Sequence, residues 1–112
     1  MERMSHAEYI AGVRAEAGNL AADVLCGQAE LLESCHRLSA LLAAAELDPG
    51  DEGAKAFLII SSEIDALPVG AVRAHWDRSA LARLQPEIES ASKWAREIAE
   101  PALVSVVRRF KA

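Results

Sequence analysis

The chain reads as an all-α protein of four or five helices in an antiparallel, bundle-like array, on three observations. Of its 112 residues 52% are hydrophobic but only 4% aromatic, so the core must come from Ala, Leu, Ile and Val, which suit close helix packing. Apolar residues recur at spacings of three and four along most of the chain, the period of one helix face. The single run that reads as a strand, Phe57 to Ile60, has no second strand to pair with. At this length the chain makes a single domain over residues 1–112 and can bury a real core.

Ser5 and Glu8 form a capping box that opens the first helix, expected over residues 6–26. Ile10, Val13, Ala17, Leu20 and Val24 give it one apolar stripe, and Gly27 serves as a C-cap or hinge. If Gly27 does not break the chain, this helix and the next merge into one long rod. A second stripe, Leu31, Cys35, Leu38 and Leu42, thickened by Leu32 and Leu41, predicts a helix over 28–46. "DPGDEG" stops it. The stretch "AKAFLIISSEIDAL" predicts a third helix over 53–66, apolar all round in its middle and therefore buried.

Leu67 before Pro68 is pushed toward extended geometry, and Pro68 and Gly70 suit a type I turn. Asp77 is placed to cap a helix beginning near Arg78, with Trp76 packing on Leu81 as a hydrophobic staple. Leu81, Leu84, Ile88, Ala91, Ala95 and Ile98 carry its stripe, and Pro86 marks a kink or a fresh start. Beyond Pro101 the face passes to Leu103, Val106, Val107 and Phe110, a shift that suits a second bend.

Charge and cysteines narrow the function classes. Twelve Lys and Arg against 17 Asp and Glu give a net charge of −5, which repels a phosphate backbone, so nucleic acid is not an expected partner. The basic run Arg108, Arg109 and Lys111 fits the last turn of a helix, where cations complement the dipole. Cys26 and Cys35 lie outside any CxxC or CxxH context and read as small core hydrophobes in a reducing compartment. No apolar run approaches the about 18 residues that cross a bilayer, so a cytoplasmic protein without membrane contact is expected.

Chemistry-bearing residues concentrate in "SSEIDALPVGAVRAHW", residues 61–76. Ser62, Glu63, Asp65, Arg73, His75 and Trp76 are the candidate site there, structural or functional. Carboxylates in the last turn of a helix face the negative end of the dipole and need a cation, so Arg73 is expected to swing back onto Asp65 or Glu63. On a helix Glu63 and Asp65 diverge too far to share an ion, and Ser61 is expected to bond a backbone carbonyl. His75 has no nucleophile or oxyanion donor beside it in sequence. Trp94 reads as a half-buried packing residue. Glu33 and His36 match half of a carboxylate di-iron motif, but no second copy exists, and both are expected to face water. No metal and no cofactor is therefore expected.

The order Ser62, Glu63, Asp65, Leu67, Pro68, Gly70, Arg73 and Trp76, S-E-x-D-x-L-P-x-G-x-x-R-x-x-W, resembles the central signature of a group of short bacterial proteins that carry only a domain-of-unknown-function label. The resemblance implies a bacterial cytosolic protein and assigns no activity. The sequence points away from an enzyme and toward a protein–protein interaction module, of which a homodimer is one form. An immunity- or antitoxin-like protein masking a basic toxin is one alternative, and a small-molecule or catalytic site at the Ser62 to Trp76 corner is another. For self-association, the second helix and the Val-rich tail are the expected exposed stripes.

Overall fold

The computed structural model describes residues 5–48, 50–65, 67 and 75–111. Within these the fold is all-α, with four helices: α1 (His6–Leu25), α2 (Leu31–Ala44), α3 (Glu52–Glu63) and α4 (Arg78–Phe110). α1 packs on α2 and α4, and α3 on the other side of the same two, so the helices close a ring. Neighbours run antiparallel: His6 at the start of α1 bonds Glu46 just past the end of α2 (2.9 Å), and Asp51 at the start of α3 meets Arg109 at the end of α4. None of these helices is long and apolar enough to cross a membrane.

The ends are set by local chemistry. The Ser5 hydroxyl accepts from the Glu8 N–H (3.1 Å), and α1 closes at Gly27, whose φ of +78° lies in the left-handed region. Its N–H donates to the Val24 carbonyl (3.1 Å) and that of Gln28 to Asp23 (2.7 Å), the two bonds of a Schellman cap. The alternative of one merged rod is thereby settled in favour of two helices. The cap consumes residues 27–29, so α2 starts at Leu31 rather than at 28, with the Glu30 carboxylate accepting from the N–H groups of Leu32 and Glu33. Its last turn also ends early, at Ala44, because Glu46 takes a positive φ of 54°.

α3 is shorter than expected. It stops at Glu63 instead of 66, and the Leu67 N–H reaches back to Ile64 (2.9 Å) in a tighter turn. Pro68 explains this, since it has no N–H to donate to the Ile64 carbonyl and its ring would clash with that carbonyl in a continuing helix. α4 is one helix of 33 residues that contains both Pro86 and Pro101. Neither proline starts a new element. Ala95, Ala99, Ala102 and Val106, spaced four, three and four apart, keep one buried stripe across Pro101, whose ring lies on the exposed side. The long dimension of the molecule, 49 Å, is the length of this helix at about 1.5 Å per residue.

The core joins all four helices through Leu20, Leu32, Leu38, Leu42, Phe57, Ile60, Ile64, Leu103 and Val106. The α1 and α2 stripes read from the sequence are buried, with only Leu41 at the margin half-buried. Gly18 lets the end of α4 come close: a Cβ there would stand 3.0 Å from the backbone C and O of Phe110.

Candidate functional site

The described candidate residues of the corner after α3 are exposed. Ser62 and Glu63 lie exposed in the last turn of α3, Asp65 exposed just beyond it, and His75 and Trp76 exposed ahead of α4. Among the described residues no hydrogen bond or ion pair joins any two of these five side chains. Arg73, Pro68 and Gly70 lie outside the described residues, and with them the expected clamp and turn. Asp77 occupies the N-cap position of α4, but its side chain makes no cap bond, and Trp76 is 38% exposed instead of buried as a staple.

A polar clasp stands at the opposite end of α3. Asp51, the N-cap, is only 12% exposed; one carboxylate oxygen accepts from the Ala54 N–H (3.0 Å) and the other from Arg109 (2.8 Å). Burial pushes this carboxyl up, yet the Ala54 bond and the Arg109 guanidinium outweigh it and hold the carboxyl below its ordinary value. The Arg109 guanidinium lies 4.9 Å from the centroid of the Phe110 ring, and that of Arg14 lies 5.8 Å from it. Arg14 in turn donates from Nε and Nη2 to the Ala45 carbonyl (3.2 and 3.0 Å), capping α2 from α1. Every helix therefore contributes to this clasp. Asp51 and Arg109 neutralise each other and Arg14 is spent on the Ala45 carbonyl, so the clasp ties the four helices together beside a cavity of about 210 Å³.

The sequence reading missed both the clasp and a second polar contact. His36 does not face water: it is half-buried against α3, with Nδ1 2.7 Å from the Ser61 hydroxyl, which takes this partner rather than a backbone carbonyl. A serine beside an imidazole invites a nucleophile–base reading. The setting opposes it, because Ser61 stands in the last turn of α3, where the free backbone groups are carbonyls and the dipole is negative. An oxyanion would be repelled there. Among the described residues no three His, Cys, Asp or Glu side chains gather as metal ligands. Burial, with the Glu30 charge adding to it, pushes the Cys35 thiol up to about 12, so it stays protonated in the core, while Cys26 is exposed. Cys26 thus departs from its expected place inside.

The strongest surface feature is apolar. α3 buries Phe57, Ile60 and Ile64 but leaves Leu58 and Ile59 59% and 51% exposed, so it is not buried all round as expected. Of the expected exposed stripes, that of α2 lies inside, with Leu31, Leu32, Leu38 and Leu42 buried, whereas the Val-rich tail is divided: Leu103 and Val106 are buried, Val107 and Phe110 half-buried and Val104 exposed. Along α3 the outward ridge is Lys55, Leu58, Ile59 and Ser62, at i, i+3, i+4 and i+7. A groove of about 410 Å³ runs on its α4 side between Ala56, Ile59, Ile98, Pro101, Ala102 and Ser105. Another of about 230 Å³ runs on its α2 side between Ser39, Leu42, Ala43, Ala54 and Leu58. Lys55 borders both. The signal for this ridge was present in the sequence as four consecutive apolar residues, since one helix face cannot hold them all.

Comparison of the chain with protein-family models, curated proteins and solved structures finds no match.

Proposed function

We propose that the protein is a non-enzymatic helical interaction module that engages a protein partner through the α3 ridge. The observation that carries this reading is the adjacent pair Leu58 and Ile59, more than half exposed and flanked by two grooves, in a chain that buries most of its other large aliphatic side chains. Fully covering a Leu or Ile side chain contributes about 1.5–3 kcal/mol, so a ridge of this kind gains most from an apposed helix or groove. The reading of the Ser62 to Trp76 corner as a small-molecule or catalytic site has less support, because its described side chains are exposed and unconnected. The immunity-like version draws on the net charge alone.

Photo-cross-linking residues placed at Leu58 and Ile59, with Ala82 and Arg83 on the exposed start of α4 as controls, test the reading in cells. A discrete protein adduct from 58 and 59, absent from 82 and 83, is expected. Equal adducts from all four positions, or none from the ridge, would overturn it.

A further inference from the structure

We infer that the occupant of the α3 ridge is the same ridge of a second copy of this chain, the two α3 helices running antiparallel about a two-fold axis beside Leu58 and Ile59. This rests on the interaction-module reading of that ridge. A two-fold contact requires a patch that is complementary to itself. The ridge has that property: a cation, Lys55, stands toward one end with Glu52 a turn beyond it, the apolar pair in the centre, and Ser62 with Glu63 toward the other. A two-fold axis between residues 58 and 59 sets Lys55 opposite Ser62 and beside Glu63 of the partner subunit, and the symmetry repeats the pair.

Other arrangements lose this match. Parallel α3 helices would set Lys55 against Lys55, and a basic partner would meet Lys55 where it borders both grooves. Among the described residues no ion pair engages Lys55 or Glu63. The grooves beside the ridge are walled by small residues, Ala43 and Ala54 on one side and Ala56 and Ala102 on the other, which leaves room for the opposing Leu and Ile. Antiparallel helices also oppose their dipoles favourably.

Sedimentation of the full chain tests this, with circular dichroism confirming that each variant keeps its helix. The wild type is expected to be dimeric at about 100 μM chain, and Leu58→Asp, an exposed substitution, to be monomeric there. Lys55→Glu and Glu63→Lys alone should each raise the dimer dissociation constant about tenfold, as two symmetry-related attractions become repulsions, and the double variant should return to within about threefold of wild type. A monomeric wild type overturns the inference, as does a dimer indifferent to Leu58→Asp. Failure of the double variant to recover overturns the antiparallel pairing. A monomer that still yields a ridge-specific adduct of another mass leaves the interaction module standing, whereas a monomer without any adduct removes both.

Discussion

The two ends of α3 differ in a way that the sequence does not announce. The C-terminal end holds the densest collection of reactive side chains in the chain, Ser62 to Trp76, yet those described are exposed and no hydrogen bond or ion pair joins them. The N-terminal end looks like an ordinary helix start, and there Asp51, Arg109, Phe110, Arg14 and the Ala45 carbonyl lock four helices together. A local cluster of functional groups is thus no guide to where polar contacts form. Antiparallel packing brings the positive end of α3 and the negative end of α4 to the same place, so a carboxylate on one and a guanidinium on the other are each favoured by their own helix before they meet.

The difference can be broken from the clasp side first. Asp51→Ala removes both the cap of α3 and the Arg109 pair and is expected to lower stability by about 2–3 kcal/mol, read from urea unfolding. Asp51→Asn, which can still cap, should lose about 1 kcal/mol or less. A smaller effect of about 1–2 kcal/mol is expected for Gly18→Ala, whose new methyl group presses on the Phe110 backbone and displaces the end of α4 that carries Arg109. An unchanged midpoint for both Asp51→Ala and Gly18→Ala would mean that the clasp contributes nothing.

Acid titration sharpens the same contrast. The Asp51 carboxyl is held low in the folded chain, so its contribution is fully present above the unfolded value of about 3.9 and fades as pH falls through the lower folded value. The stability gap between wild type and Asp51→Asn should therefore be constant from about pH 7 to 5 and close below about pH 4. A gap that does not narrow at all as the pH falls below about 4 would assign the effect to packing instead.

The smallest effects belong to the other end. Glu63→Ala, Asp65→Ala and His75→Ala are each expected to change stability by less than about 0.5 kcal/mol, because their side chains are exposed and make no described contact. Trp76→Ala, with the residue 38% exposed, should stay below about 2 kcal/mol instead of the larger loss a buried staple would give. Larger losses in these variants would restore the corner as a structural element equal to the clasp.

By itself the sequence determined the helical fold and the inner faces of α1 and α2. Spacings of three and four put Val13, Ala17, Leu20, Leu31, Cys35 and Leu38 on single stripes, and burying those stripes is what folding requires. Caps such as Ser5 and Gly27 were legible too, because they act on backbone groups within four residues. Tertiary structure alone decided the rest. Whether Asp51 finds Arg109, or His36 finds Ser61, depends on how antiparallel helices align, which no local pattern encodes. The run from Phe57 to Ile60 shows the limit most directly. Each residue of a helix turns about 100°, so four in a row sweep most of the circumference, and α3 is covered only where α2 and α4 flank it. Phe57 and Ile60 fall on the covered side, and Leu58 and Ile59 are left facing out.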